Sequence, residues 1–171
     1  PLNRAHCAKM IVDGFGVPKY SPSLPTFSDV PASHLQYAWI EGGYAAKVVN
    51  GYTDGTYRPH AQITRQQFNS MLARILVHKE IEARGAIQGS TAQYATLDAW
   101  FAAEGQEYLA RFIDSGELYR DHEATSAYLV FRGVIQGAER GGLRYLDPLE
   151  SLTGAQAVAM IVRAGLIAQG F

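Results

Sequence analysis

After Thr64, apolar residues recur with a helical period and form a single stripe. Four of them lie at i, i+3, i+4 and i+7: Phe68, Met71, Leu72 and Ile75. A stripe of this kind is typical of an amphipathic helix whose apolar side faces a core. Thr64 and Gln67 have the spacing of a capping box, in which the Thr hydroxyl accepts an N–H and the Gln side chain reaches back. The pattern predicts a helix over 64–79.

The same stripe occurs three times, because three segments of the chain align without gaps. They predict three motif helices, over 3–13, 64–79 and 153–168. All three methionines of the chain occupy one position of this alignment: Met10, Met71 and Met160. A single stripe cannot be buried alone, so the simplest arrangement is a three-helix bundle, in which we expect the methionines to pack together.

A turn and a second helix precede the middle motif helix. The segment 50–59 reads NGYTDGTYRP, in which Asp bonds to its own backbone and Gly tolerates positive φ, so it predicts a turn. Upstream, Ser33 and Gln36 have capping-box spacing and predict a helix over 34–48. On that helix we expect Trp39 in the core, with a sugar-stacking platform as the alternative.

These motifs, in this order and spacing, resemble the S-layer homology family. The segments that carry the resemblance are Phe27-Ser28-Asp29-Val30, the Gly-Tyr-x-Asp-Gly turn that ends at Pro59, and Thr64-Arg65-Gln66-Gln67. The resemblance implies an all-α fold with repeats around a central pseudo-threefold three-helix bundle and with helices and turns as projecting prongs. It also implies one domain over 1–171. Its parts are a partial repeat at 1–17, a Pro-rich linker at 18–26, a complete repeat at 27–79, a helical insert at 80–111 and a degenerate repeat at 112–171.

The insert departs from the family. Its apolar residues follow an amphipathic helical pattern, with Gly105 as a possible break, and include Trp100, Phe101 and Tyr108. We expect these aromatic residues to close the core, with a contact surface as the alternative. Because the first repeat lacks its own prong, the insert is expected to cover the exposed side of the first motif helix, or else to join subunits.

Composition excludes several classes of protein. The net charge of −1 gives no sign of a nucleic-acid surface, and no apolar run approaches the length of a membrane span. The single Cys7 allows no internal disulfide and is expected to be a small buried hydrophobe. The five histidines have no metal-ligand spacing, and no catalytic motif is present. We therefore expect a protein that is not an enzyme and that needs no cofactor or metal.

Arg65 is the best candidate for a binding residue, because a guanidinium at a helix N-terminus can complete a carboxylate site. We expect the turn from Tyr52 to Tyr57 to approach it. The further candidate ligand-binding residues are Asp54, Gly55, Tyr52, Tyr57, Arg4 and Trp39. Gly154 replaces the arginine in the third copy, so we expect the third groove to be weak or inactive.

The resemblance implies a ligand for these residues: an acidic secondary cell-wall polysaccharide, often with a pyruvate ketal. The predicted function is therefore a non-catalytic, extracellular module at the cell surface or cell wall, which anchors a protein or S-layer. A structural subunit that assembles with itself into a layer or filament is the alternative. The intact middle motif favours anchoring, whereas the insert and the partial first repeat favour assembly.

Overall fold

The computed structural model describes residues 2–171; Pro1 lies outside the described part. Helices account for 49% of the structure, and the strands are short, which confirms the all-α prediction. The main helices are α1 (Arg4–Gly14), α2 (Tyr37–Ala45), α3 (Arg65–Arg84), α6 (Arg120–Phe131) and α7 (Gly154–Gln169). The insert contributes α4 (Leu97–Trp100), a π-helical segment (Phe101–Gly105) and α5 (Gln106–Leu109), and a 3₁₀ turn follows at Ser115–Glu117. Two antiparallel hairpins pair β1 (Ile87–Gln88) with β2 (Gln93–Tyr94) and β3 (Ala138–Arg140) with β4 (Leu143–Tyr145).

The three motif helices begin where their caps predict. Asn3 accepts a hydrogen bond from the backbone N–H of His6 at the start of α1. Thr64 and Thr153 both form capping boxes, each with a glutamine three residues later. At its other end α3 runs past the predicted residue 79, as far as Arg84, and stops at Gly85, whose φ of 78° is left-handed. Local chemistry therefore sets these helix limits.

α1, α3 and α7 contact one another in pairs and form the predicted bundle. α1 and α7 approach closely because Gly14 has no side chain; a Cβ there would lie 2.8 Å from the Ile161 side chain. Met71 and Met160 belong to the hydrophobic core, and Met10 packs against it half-buried. Met71 and Met160 also line two different clefts, and the direct packing of the three methionines stays a prediction. The threefold symmetry of the bundle stays a prediction.

The second helix of each repeat packs on the motif helix that precedes it in the chain. α2 lies against α1, and α6 lies against α3. α2 begins at Tyr37 rather than at 34, because the N–H of Gln36 donates to the ring of His34 instead of forming a capping box. The 18–26 linker runs along α2, to which Thr26 is tied by two hydrogen bonds to the buried carboxylate of Glu41.

The insert packs on α6 and on the end of α3. Trp100 is fully buried and Tyr108 nearly so, in an aromatic cluster with Tyr128 and Phe131, which confirms that they close the core. The expectation that the insert covers α1 is wrong, because α2 and the bundle already bury Cys7 and its neighbours on that helix.

A buried carboxylate joins the insert to the rest of the core. Glu80 of α3 is completely buried and accepts hydrogen bonds from the Tyr128 hydroxyl, the Arg132 guanidinium and the backbone N–H of Gln88. Arg132 also donates to the carbonyl of Gln88 at 2.9 Å. One ion pair therefore holds α3, α6 and the first hairpin of the insert together.

Candidate functional site: two clefts at the starts of the motif helices

The turn of each repeat lies at the start of the motif helix that precedes it in the chain. The backbone N–H groups of Arg4 and Ala5 donate to carbonyls at residues 61 and 59, at 3.0 Å each. Those of Arg65 and Gln66 donate in the same way to the carbonyls of residues 150 and 148, at 2.9 and 3.0 Å. The turn at 50–59 therefore lies at Arg4, and the turn at 136–148 lies at Arg65.

This arrangement corrects two expectations about Arg65. The turn from Tyr52 to Tyr57 does not approach Arg65, because it belongs to the start of α1. The first two N–H groups of α3 are not free for an anion either, since they are bonded to carbonyls of the following repeat. Any anion site at Arg65 must therefore depend on its guanidinium rather than on these two amides.

An aspartate fixes each turn by the same pair of bonds. The carboxylate of Asp29 accepts from the N–H groups of Tyr57 and Arg58, at 2.8 Å each. Asp114 accepts from the N–H groups of Leu146 and Asp147, also at 2.8 Å. The Asp of the Phe-x-Asp motif is therefore a structural residue that closes the turn in both repeats.

A glycine is required at the start of each turn, where the backbone passes against the Phe of the same motif. A Cβ at Gly51 would lie 2.3 Å from the ring of Phe27, and one at Gly137 would lie 2.4 Å from the ring of Phe112. The second turn then forms the β3–β4 hairpin. Gly141 and Gly142 provide its two positive φ angles, 58° and 77°, which a two-residue type I′ turn needs.

Each turn leaves a cleft between itself and the next motif helix. The first cleft, of about 260 Å³, is lined by Arg4, Asn50, Gly51, Tyr52, Gln67, Ser70, Met71, Arg74, Asp121 and His122. The second cleft, of about 310 Å³, is lined by Arg65, residues 134–138, Leu146, Gln156, Ala159, Met160 and Arg163.

The two clefts are built from corresponding positions of the repeat. The matched pairs are Arg4 with Arg65, Gly51 with Gly137, Gln67 with Gln156, Met71 with Met160, and Arg74 with Arg163. Each cleft therefore carries two arginines, one at the helix start and one nine residues into the facing motif helix. At the third pair of positions the chain has Gly154 and Asp13 instead. That the third groove is inactive stays a prediction, and these residues favour it.

The first arginine of each cleft is held differently. In the first cleft, Arg4 donates from Nε to the carbonyl of Tyr57 at 2.8 Å and from Nη2 to the carbonyl of Asn50 at 2.9 Å. In the second cleft, Arg144 donates to the corresponding carbonyl of Gln136 at 2.8 Å. Among residues 2–171 the Arg65 guanidinium has no hydrogen-bond partner, and its Nε is buried. A buried N–H without a partner is costly, so an acceptor from a ligand would be stabilised there.

The second arginine of each cleft lies at its wall and makes one long hydrogen bond. Arg74 Nη1 is 3.5 Å from the carbonyl of Val48, and Arg163 Nη1 is 3.3 Å from that of Val134. Desolvation by burial, followed by the nearby charge of Arg4, lowers the pKa of Arg74. An anion bound between Arg4 and Arg74 would offset both effects on the pKa of Arg74.

Four predicted site residues lie outside the clefts. Tyr57 is fully buried, so its predicted role as a ligand-binding residue is wrong. Asp54 accepts from Thr56 and Arg58 within its own turn, and these hydrogen bonds, from Thr56 first, lower its pKa to about 2. Gly55 provides the positive φ of that turn, at 79°. Neither Asp54 nor Gly55 lines the first cleft.

Trp39 is half-buried rather than part of the core. Its Nε1 donates to Asp13 at 2.7 Å, and the ammonium groups of Lys9 and Lys19 lie 4.7 and 4.8 Å from its ring. The expectation that Trp39 lies in the core is therefore wrong, since it bridges α1 and α2 at the surface, away from both clefts. The alternative role as a sugar-stacking platform stays a prediction. Of the predicted site residues, Arg4, Tyr52 and Arg65 line a cleft.

The second arginines, and the position of the two capping glutamines in the clefts, were not predicted from the sequence. Gln67 and Gln156 use their side-chain oxygen on the preceding threonine, so the amide N–H₂ of each can face its cleft. The repeat alignment could have identified Arg74 and Arg163, because each lies nine residues after the first residue of its motif helix. The described residues contain no group of three or more His, Cys, Asp or Glu side chains placed to hold a metal ion. No described helix is long and apolar enough to cross a membrane.

Part of the chain is similar in sequence to known proteins. The family model for the S-layer homology domain matches residues 26–68. The chain is 34% identical over 64 residues to the outer membrane protein SlpA of Thermus thermophilus, which covers 36% of this chain and 7% of that protein. It is 36% identical over 59 residues to SlpA of Deinococcus radiodurans, which covers 34% of this chain and 5% of that protein.

The chain thus spans less than a tenth of the length of these curated relatives. The matched family region contains the turn that Asp29 closes and the start of α3, so it includes part of the lining of the first cleft and Arg65 of the second. Together the family match and the two relatives indicate a protein of the cell surface or cell wall. Residues 26–68 of the chain therefore match the S-layer homology domain.

Proposed function

We propose that this domain anchors its protein to the cell wall by binding acidic sugar residues of a secondary cell-wall polysaccharide in its two clefts. The observation that carries the proposal is the Arg65 guanidinium, whose buried Nε has no partner in the described chain and which shares the second cleft with Arg163. Two guanidinium groups beside a cleft of this size match a small carboxylate ligand. The family resemblance favours a pyruvate ketal as the source of that carboxylate.

The remaining lining of the second cleft suits such a sugar. The side-chain amide of Gln156 can donate to a hydroxyl or acetamido oxygen, and the backbone carbonyls of 134–138 can accept from hydroxyl groups. Met160 gives an apolar, adaptable surface against which a ketal methyl group can pack. A mostly apolar pocket with a few placed polar groups is the usual form of a small-ligand site.

One feature of the first cleft resembles part of a catalytic site but does not support an enzyme. Ser70 Oγ lies 2.7 Å from Nδ1 of His122 and 2.8 Å from the hydroxyl of Thr125. Ser70 is 1% exposed, and its hydroxyl is already hydrogen-bonded to both of these side chains. The pair is better explained as a buried polar link between α3 and α6.

A binding measurement tests the anchoring proposal. Wild type, Arg163→Ala and Arg111→Ala are each titrated with purified cell-wall polysaccharide before and after chemical removal of its pyruvate. Arg111→Ala is the matched control, because Arg111 is exposed and lines neither cleft. Loss of one charged hydrogen bond should weaken binding to the second cleft by about 1.5–3 kcal/mol. Equal binding of the treated polymer would contradict the proposal.

The alternative function, self-assembly, also has an observation in its favour. Three apolar side chains lie at i, i+4 and i+8 on α7 and are 51%, 55% and 64% exposed: Val158, Val162 and Leu166. The corresponding positions of α1 and α3 are covered by α2 and α6, so α7 has the only uncovered copy of this face among the three described motif helices. A second copy of the chain could cover it by packing α7 against α7 about a twofold axis.

Light scattering tests this alternative. Wild type should be larger than a monomer at micromolar concentrations, and Val162→Glu should restore the monomer because it places a charge in the interface. Val77→Glu is not a suitable control, since Val77 is half-buried against the core. Leu24→Glu is suitable, because Leu24 is 80% exposed in the linker. A monomeric wild type would exclude the α7 dimer.

A further inference from the structure

We propose that the insert adds a second sugar subsite to the first cleft, so that this cleft binds two consecutive residues of the polysaccharide rather than one. The inference rests on the proposed function. A cavity of about 670 Å³ borders the first cleft, and Arg74 and Asp121 line both. A polysaccharide bound at Arg74 therefore has a continuous route into the larger cavity.

The insert forms one wall of this cavity. Leu97, Phe101 and Gln106 line it from the insert, and Arg120, Glu123 and Thr125 line it from α6. None of the described residues that line the second cleft belongs to the insert. The two clefts should therefore differ in the length of glycan that they hold.

Phe101 is positioned to contact a sugar ring. Its neighbour Trp100 is fully buried and anchors the insert on α6, whereas Phe101 is half-buried and lines the cavity. Phe101 begins the π-helical segment, and its ring passes so close to Gly105 that a Cβ there would lie 2.5 Å away. π-Helical turns are often found at functional sites, and this one holds an aromatic ring at the edge of a cavity.

The charges of the cavity select the class of sugar. Its lining has three carboxylates, on Asp98, Asp121 and Glu123, and two guanidinium groups, on Arg74 and Arg120. A second acidic sugar would meet more negative than positive groups, whereas the hydroxyls of a neutral sugar can donate to the carboxylates and accept from the guanidinium and Gln106 amide groups. The subsite is thus assigned to a neutral hexose or N-acetylhexosamine next to the acidic residue.

Two probes distinguish the subsite from the first cleft itself. The first is a pyruvate-ketal monosaccharide, and the second is a short cell-wall fragment that ends in the same sugar. Both are titrated into the Arg65→Ala/Arg163→Ala protein, in which the first cleft alone keeps its arginines. The Phe101→Ala variant in that background is compared with Tyr20→Ala, which removes an aromatic ring that is 53% exposed elsewhere.

The inference predicts that Phe101→Ala weakens binding of the fragment about threefold to tenfold and leaves binding of the monosaccharide unchanged. Asp98→Asn, an exposed and structurally mild change, should act in the same direction. A fragment that binds no more tightly than the monosaccharide would overturn the subsite while leaving the proposed function intact. Equal weakening of both probes by Phe101→Ala would also overturn it. If the wild type binds neither probe, both the subsite and the proposed function are wrong.

Discussion

Arg4 and Tyr57 exchange two hydrogen bonds in the interior of the protein. Arg4 Nε donates to the carbonyl of Tyr57 at 2.8 Å, and the Tyr57 hydroxyl donates to the carbonyl of Arg4 at 2.9 Å. Tyr57 is fully buried, and burial raises the pKa of its hydroxyl. This reciprocal pair fixes the turn of the middle repeat to the start of α1, and so sets the shape of the first cleft.

Tyr57→Phe should lower stability without removing the binding function. The variant loses one buried hydrogen bond, and we expect a loss of about 1 kcal/mol in the free energy of unfolding. Urea denaturation measures this loss, with Tyr52→Phe as the control because Tyr52 lines the cleft and is only partly buried. A stability equal to wild type would show that the Tyr57 hydroxyl contributes nothing to the fold.

Glu80→Ala should be among the most destabilising substitutions in the chain. It leaves the Arg132 guanidinium without its buried partner and frees the Tyr128 hydroxyl, so we expect a loss of about 3–5 kcal/mol. Glu82→Ala, on the same helix, is the matched control, since its side chain is 63% exposed and its ion pair with Lys79 is 3.6 Å long. Circular dichroism during heating compares them, and similar melting temperatures would contradict the role assigned to Glu80.

Cys7 should be chemically inert in the native protein. Its side chain is fully buried in the bundle, and burial raises the pKa of its thiol to about 12, against a smaller opposite effect of Arg4. Since the thiolate is the reactive form, a thiol reagent should label Cys7 only after denaturation. Rapid labelling at neutral pH without denaturant would mean that α1 opens readily.

Stability should fall between about pH 7 and pH 5, because the unfolded chain then takes up protons that the native state resists. Burial lowers the pKa of His122; the charges of Arg74 and Arg4 lower it further, and that of Asp121 opposes them. The contribution of His122 to stability is therefore complete above the ordinary histidine pKa and is lost as the pH falls through the lowered value. The pKa of His34 is also lowered, first by burial and then by the charge of His60. His34 therefore changes the stability with pH in the same direction as His122.

Unfolding free energies at several pH values test this prediction. His122→Asn should reduce the slope between those two pH values without abolishing it, because His34 remains. His78→Asn is the control, since His78 is exposed on α3. If His122→Asn leaves the slope as steep as in wild type, the pH dependence arises elsewhere.

The features that could be predicted from the sequence are those that local chemistry decides. Thr64, Thr153 and Asn3 cap their helices as expected, because a cap depends on residues within one turn. The capping box at Ser33 was wrong because the ring of His34 takes the N–H of Gln36. Competition between two nearby acceptors cannot be resolved from spacing alone.

The pairing of turn with helix could not be predicted in the same way. Arg65 and the turn at 50–57 are close in sequence, but each turn packs on the preceding motif helix, so Arg65 meets the turn at 136–148 instead. This choice depends on how the repeats stack in three dimensions. Tyr57 is buried for the same reason. The turn that carries it packs on the start of α1, where the Tyr57 hydroxyl donates to the carbonyl of Arg4.

The most direct test of the account is the number of glycan sites per chain, measured by calorimetry with a pyruvate-ketal monosaccharide. The wild type should have two sites, Arg65→Ala/Arg163→Ala one, and the triple variant with Arg74→Ala none. A stoichiometry of two that survives the loss of all three arginines would contradict the assignment of binding to these clefts.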